Sequence, residues 1–216
     1  MVAPSLNVLT PQAAANLEAY VRAGGHLVLG PRSGMKTEDN ALQSQRQPGP
    51  LADLLCARVE QFYALDQSVP IDGTWGSGTD TIWAEQLAAK STDTQVLMRY
   101  GKINGWLDGK PAAVTRKVGK GSITYVGAML DARTMANAAK WMVGKSGVTA
   151  IMPELPADVD LSIRTGAGRR VLIFTNYGVE PHTIDLPQRM KDVLQKGTVT
   201  KITLAQYGVA VLEDSR

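Results

Sequence analysis

The pattern of apolar and polar positions near the start of the chain predicts a helix followed by a strand. Thr10 and Pro11 are residue types of a helix cap and a first helical position, and apolar residues then recur on one face as far as Gly24. Residues 26–30 form a short continuous apolar run, which is typical of a strand buried in a parallel sheet. A helix and a strand joined across two glycines make half of an α/β unit.

The middle of the chain alternates between polar segments and strand-like runs. Residues 31–49 have no periodicity, which predicts a long surface loop, and Pro50 opens a second short helix. Strand-like runs follow at residues 59–65, 82–87, 95–100, 112–117 and 122–127. The segment VGKG at residues 118–121 predicts a hairpin between the last two runs.

The last part of the chain has a different pattern. Asp131 is predicted to cap a helix with one apolar stripe, after which turn residues separate only short strands. Those strands are predicted at residues 161–165, 171–175, 183–186, 199–204 and 209–212. We therefore predict an α/β domain over residues 1–150 and a small antiparallel β domain over residues 151–216.

Composition excludes several classes of protein. The 216 residues include 23 Lys and Arg against 20 Asp and Glu, and the basic residues are scattered, so no nucleic-acid partner is expected. No run approaches the roughly 18 apolar residues that span a bilayer, so no membrane partner is expected. A single cysteine, Cys56, excludes an internal disulfide and a Cys/His zinc cluster, which favours a reducing cytoplasm.

Long stretches of the chain resemble the C-terminal half of family 42 β-galactosidases. They run from VAPSL (2–6) through GPRSG (30–34), over WLDGKPAA (106–113), from VGKG (118–121) through Gly127, and over YGVAVL (207–212). The resemblance implies a trimerisation domain with an α/β class I amidotransferase-like (flavodoxin-like) fold, followed by a small β domain. It also implies that the catalytic barrel and the first sheet elements of the trimerisation domain are missing, so the α/β domain is expected to be N-terminally truncated.

The residues do not supply the chemistry of a retaining glycosidase. That reaction needs two carboxyl groups about 5 to 5.5 Å apart, which family members carry on a barrel of about 250 residues. The chain has no Asn-Glu dipeptide, the context in which the family carries its acid/base. Of the glutamates, we interpret six as solvated surface charges, namely Glu38, Glu60, Glu85, Glu154, Glu180 and Glu213. No catalytic residue, cofactor or metal is therefore expected.

Two weak catalytic candidates remain. The amidotransferase pattern places Arg32 where the nucleophilic cysteine would lie, and an arginine cannot serve as a nucleophile. Ser33 follows it, but GPRSG does not fit the hydrolase signature G-x-S-x-G. As a base for Ser33, His26 would lie at the other end of the strand, about 15 to 20 Å away. His182 lies in the predicted β domain, so it could meet Ser33 only across a domain or subunit contact.

Three functional hypotheses follow. The first is a non-catalytic assembly role, in which a homotrimer shapes the sugar site of a neighbouring subunit and places a β-galactoside at a subunit interface. The second is a stand-alone, esterase-like hydrolase that uses Ser33 and His182. The third is a sugar-binding module whose platform is made by Trp75, Trp83, Trp106 and Trp141, although tryptophans at such spacings more often serve a core or an interface.

Overall fold

The computed structural model describes residues 1–103, 105–152 and 154–214. Residues 153, 215 and 216 of the predicted second domain lie outside the described residues. The chain forms two compact units, Met1–Val148 and Thr149–Arg216.

The first unit contains one large sheet and three α-helices among its described residues. The strands are β1 (Val2–Ala3), β2 (His26–Leu29), β3 (Ala57–Ala64), β4 (Val69–Gly73), β5 (Gly78–Ala89), β6 (Thr94–Tyr100), β7 (Pro111–Val118), β8 (Gly121–Val126) and β9 (Ala128–Leu130). The helices are α1 (Pro11–Arg22), α2 (Ala52–Leu55) and α3 (Ala132–Ser146), with a 3-10 turn at Gly49–Leu51 before α2.

The sheet is mixed and curls back on itself. Its order is β1-β2-β8-β7-β6-β4-β5-β3, and β9 pairs with β5. Only the β1–β2 and β2–β8 pairs are parallel among the described strands. The other pairs of this sheet are antiparallel. Because β9 follows β8 directly yet pairs with the distant β5, the end of β8 lies close to the middle of β5.

The predicted fold class is wrong. A flavodoxin-like α/β domain requires a helical crossover for each parallel strand pair, whereas antiparallel pairing dominates this sheet. The helix and strand at residues 10–30 are present, but the next helix–strand succession, α2 to β3, leads into an antiparallel pair with β5. The unit is mostly β, and the amidotransferase-like description is not supported.

Local signals at helix ends and turns are confirmed. The Thr10 side chain accepts a 3.1 Å hydrogen bond from Ala13 N at the start of α1. Asp131 accepts a 3.0 Å bond from Thr134 N at the start of α3. The predicted hairpin joins β7 and β8 at residues 118–121.

Both faces of the first sheet are covered. Along β2, Leu27 and Leu29 belong to one core cluster and Val28 to another, as expected when successive side chains alternate between faces. The first cluster includes Val21 of α1, and the second includes Ala138 of α3.

The second unit is a five-stranded antiparallel sheet. Its strands are β10 (Val159–Gly166), β11 (Arg169–Asn176), β12 (His182–Asp192), β13 (Gly197–Leu204) and β14 (Val209–Asp214). Their order is β10-β11-β14-β12-β13. Leu172, Phe174 and Leu212 are fully buried in its core.

Candidate functional site

A cleft of about 550 Å³ opens in the first unit at the carboxyl ends of the parallel strands. Gly30 and Arg32 line it from the turn after β2, and Ile82 and Trp83 line it from β5. Strand β9, which follows β8, forms a further wall. Ligands of open sheets with parallel strands bind at this end of the strands, so the cleft is the leading candidate site.

The rim of the cleft is apolar and open to solvent. Ile82 is 64% exposed, Val2 59%, Met135 46% and Met129 41%. Contiguous exposed apolar side chains of this kind mark ligand-binding grooves or protein contacts.

The buried carboxylate of Glu85, on β5, links that strand to the turn after β2 and to β8 beneath the cleft. Glu85 is fully buried, and its Oε2 accepts a 2.7 Å hydrogen bond from the Tyr125 hydroxyl. Its Oε1 accepts bonds from Arg32 N at 2.9 Å and from Trp83 Nε1 at 3.1 Å. Burial raises the pKa of Glu85, and these donors act to lower it. The interpretation of Glu85 as a solvated surface charge is therefore wrong.

An aromatic and cationic stack borders the cleft. The Arg32 guanidinium lies 5.4 Å from the centroid of the Trp83 ring, and Phe62 stacks on the same ring at 5.1 Å. Arg32 has a left-handed backbone, φ 66°, which a non-glycine residue adopts at a cost of about 1 to 2 kcal/mol. The hydrogen bond from its N–H to Glu85 helps to hold this conformation. Arg32 thus positions the turn and presents no nucleophile.

A second buried carboxylate supports the cleft wall. Asp80 of β5 is fully buried, and its Oδ1 accepts a 2.8 Å hydrogen bond from Met129 N of β9. Burial raises the pKa of Asp80 to about 7, and the nearby Glu85 also raises it. The protonation state of Asp80 therefore bears on how β9 is held.

The structure places Ser33 in a structural role. Its side chain is buried, and its hydroxyl donates to Gly30 O at 2.8 Å and accepts from Leu6 N at 3.1 Å. His26 begins β2 and pairs with Thr124 Oγ1 at 2.9 Å, whereas Ser33 follows the other end of that strand.

The structure places His182 in the second unit. It begins β12, and its Nε2 lies 2.8 Å from Asp158 Oδ1. A hydrolytic pair of Ser33 and His182 stays a prediction, which the bonding of the Ser33 hydroxyl does not favour.

The four tryptophans occupy three separate environments. Trp75 is buried, and its ring lies 5.7 Å from that of Trp141 on α3. Trp83 stacks beside the cleft, and Trp106 lies 5.5 Å from the Tyr63 ring. The single platform considered for a sugar-binding module is therefore not formed by these four rings.

Two kinds of feature were sought in the part of the chain that the structure describes, namely a cluster of metal-ligating side chains and a membrane-spanning helix. No three of its His, Cys, Asp and Glu side chains form a group that could hold a metal ion. None of its helices is long and apolar enough to cross a membrane.

The mixed-sheet unit and the antiparallel unit correspond to two known domain types of glycosidases. The family model described as "Beta-galactosidase trimerisation domain" matches residues 1–148, and "Beta-galactosidase C-terminal domain" matches residues 158–214. The chain therefore belongs to the glycoside hydrolase family 42 β-galactosidases and is similar to their C-terminal part.

Individual relatives agree with this assignment. Beta-galactosidase Bga of Halorubrum lacusprofundi is 29% identical over 238 residues, covering 99% of this chain and 33% of that protein. BglY of Alicyclobacillus acidocaldarius is 29% identical over 223 residues, covering 99% of this chain and 32% of that protein. The chain thus spans about a third of the length of these relatives.

Solved structures show the same architecture. The β-galactosidase from Bacillus circulans sp. alkalophilus superposes with a TM-score of 0.88 at 25% identity, over 99% of this chain and 32% of that one. The enzyme from the Antarctic haloarchaeon Halorubrum lacusprofundi gives a TM-score of 0.75 at 30% identity, over 100% of this chain and 31% of that one.

Proposed function

We propose that this chain is the non-catalytic assembly portion of a β-galactosidase. The first unit joins copies of the chain into a homotrimer, and the assembled trimer shapes the sugar site of a neighbouring subunit. The division into domains 1–150 and 151–216 and a cytoplasmic setting belong to the same proposal. The apolar cleft with its exposed rim is the observation that carries it, and the description of the matching family supports it.

The composition of the cleft suits a contact between protein chains. Trp, Met and Arg are enriched in the cores of interfaces, and here Trp83, Met129, Met135 and Arg32 lie together. The network around Glu85 holds the floor rigid, so little ordering is needed when a second copy binds.

The same network argues against glycosidase chemistry at this site. Both oxygens of Glu85 are occupied by donors of the protein itself, and Asp80 is fully buried beneath β9. A nucleophile or acid/base must reach the sugar. Neither carboxylate does so. The proposed contribution of this chain is therefore to position the subunits and to enclose the sugar site of a neighbouring subunit.

Light scattering on a sizing column tests the assembly. We expect a mass of three times the 23.2 kDa chain for the wild type. Ile82→Asp should give the monomer, because it places a charge on the apolar rim. Leu42→Asp is the matched control, since Leu42 is 69% exposed and does not line the cleft. A wild-type monomer, or an Ile82→Asp trimer, would contradict the proposal.

Activity assays separate this proposal from the hydrolase hypothesis. The purified chain is expected to leave both p-nitrophenyl β-galactoside and p-nitrophenyl acetate intact. Turnover of the acetate that disappears in Ser33→Ala would instead support an esterase.

A further inference from the structure

Two neighbouring loops of the second unit each present an exposed tyrosine. Tyr177 lies between β11 and β12 and is 68% exposed, and Tyr207 lies between β13 and β14 and is 62% exposed. The Tyr207 N–H donates a 3.3 Å hydrogen bond to Gly178 O, so the two loops contact each other next to both rings.

A buried amide braces these loops. Asn176 Nδ2 donates to Glu180 O at 2.8 Å and to Ala205 O at 2.9 Å, and Asn176 Oδ1 accepts from Gly178 N at 2.8 Å. Asn176 itself is only 1% exposed. The backbone that carries the two rings is therefore held by the core of the unit.

The backbone of Tyr207 is unfavourable for its residue type. Its φ is 53°, in the left-handed region, where a bulky residue is a genuine outlier. Because the ring is mostly exposed, burial offsets little of this cost. An asparagine or a glycine would suit the position better, so the conformation points to a use for the ring.

A polar pair lies beside the backbone that carries Tyr177. Asp158 O accepts a 2.8 Å bond from Tyr177 N, and the Asp158 carboxylate packs so closely on Gly178 that an added Cβ would lie 1.8 Å from Oδ2. His182 Nε2 lies 2.8 Å from Asp158 Oδ1, and the two side chains remain 23% and 37% exposed respectively. The bond with His182 lowers the pKa of Asp158, which keeps the carboxylate an acceptor.

We propose that Tyr177, Tyr207 and the Asp158–His182 pair form a binding site for a neutral saccharide. A sugar ring has an apolar C–H face and a polar hydroxyl edge. The tyrosine rings suit the face, and the carboxylate and imidazole suit the hydroxyl groups. This site lies in the second unit and shares no residue with the cleft, so it is independent of the assembly role.

Binding is tested with the whole chain by native gels that contain soluble β-1,4-galactan and by titration calorimetry with lactose. We expect the galactan to retard the wild type. Tyr177→Ala and Tyr207→Asn should each weaken binding by about tenfold, as truncation of a central aromatic contact does. Tyr207→Asn suits the left-handed backbone, so it loses the ring without unfolding the unit.

Two controls make the result specific. Tyr177→Phe keeps the ring and should bind close to wild type. Leu194→Ala removes an exposed apolar side chain after the far end of β12, and binding should be unchanged. The proposal is overturned if the wild type binds neither probe, if the ring-removing variants bind as well as wild type, or if Leu194→Ala weakens binding equally. A change of molar mass in Tyr177→Ala without sugar binding would show a contact between proteins and would also overturn it.

Discussion

The Tyr125 hydroxyl donates a 2.7 Å hydrogen bond to Glu85 Oε2, and neither residue is exposed to solvent. The bond joins β8 to β5, which are separated by β7, β6 and β4 in the order of the sheet. Burial and the Glu85 charge raise the pKa of Tyr125 well above its usual value, so the hydroxyl stays a donor. The bond therefore fixes the curl of the sheet beneath the cleft.

Tyr125→Phe should destabilise the first unit by about 1 to 3 kcal/mol, because it leaves a buried carboxylate oxygen without its donor. Urea unfolding followed by tryptophan fluorescence measures this, since all four tryptophans lie in residues 1–148. Tyr177→Phe, at an exposed ring of the second unit, is the control and should leave the transition in place. Equal transitions for wild type and Tyr125→Phe would show that the bond contributes nothing.

Asp80 should make the first unit less stable as pH rises. Its pKa is about 7 in the folded chain against 3.8 ordinarily, so between these values the folded state keeps a proton that the unfolded state releases. Stability therefore falls with pH across this window, by up to about 1.4 kcal/mol per pH unit, and levels off above it.

Asp80→Asn should remove the contribution of Asp80 to this dependence, whereas Glu85, whose pKa burial also raises, keeps its own contribution. Between pH 4.5 and 7, urea unfolding should show the variant gaining on the order of 3 kcal/mol relative to wild type. Asp66→Asn changes an exposed carboxylate and serves as the control. Parallel curves of stability against pH for wild type and Asp80→Asn would rule out the Asp80 carboxyl as a source of the pH dependence.

Two glycine-to-alanine substitutions should change the stability of the first unit in opposite directions. A Cβ at Gly30 would lie 1.9 Å from Pro4 O, so Gly30→Ala must displace β1 from β2 and should cost at least about 2 kcal/mol. Gly144 lies in α3 with open space around its Cβ position, so Gly144→Ala should stabilise the helix by about 0.5 to 1 kcal/mol. Thermal unfolding distinguishes them: a Tm of Gly30→Ala that is not lower than that of wild type would contradict the packing described for Gly30, and a lower Tm of Gly144→Ala would contradict the open space described for Gly144.

Asn176→Ala should loosen both tyrosine-bearing loops. It removes three hydrogen bonds from buried or partly buried backbone groups, at a cost of about 2 to 3 kcal/mol. Amide hydrogen exchange at Gly178 should become markedly faster. Gln195→Ala, an exposed amide in the same unit, should leave that exchange rate unchanged.

The sequence predicted the features that depend on neighbouring residues. Thr10 and Asp131 cap the helices, and residues 118–121 form the hairpin, because each signal acts within a few positions. The pairing of β2 with β8 depends on residues far apart in the chain, and no local pattern encodes it. The α/β prediction rested on one helix–strand unit and on the family resemblance, and it failed because the later strands of this sheet pair antiparallel.

The sequence did not predict the candidate site, because β5 exposes an apolar side chain and buries a charged one. Ile82 is 64% exposed and Glu85 is fully buried, the opposite of what their polarity predicts. Strand β5 pairs with both β3 and β9 through register shifts, which change the face that a given position presents. Ser33 lies in the turn after β2, where its hydroxyl donates a hydrogen bond to Gly30 O.

The parallel part of the sheet sets an order of events during synthesis. His26 pairs with Ser122 and Leu29 with Tyr125, so β2 has no neighbour on that side until β8 has left the ribosome. A pairing between segments so distant in the sequence forms slowly. In the interval the apolar β2 is exposed to other nascent chains, which makes this segment a natural target for chaperones.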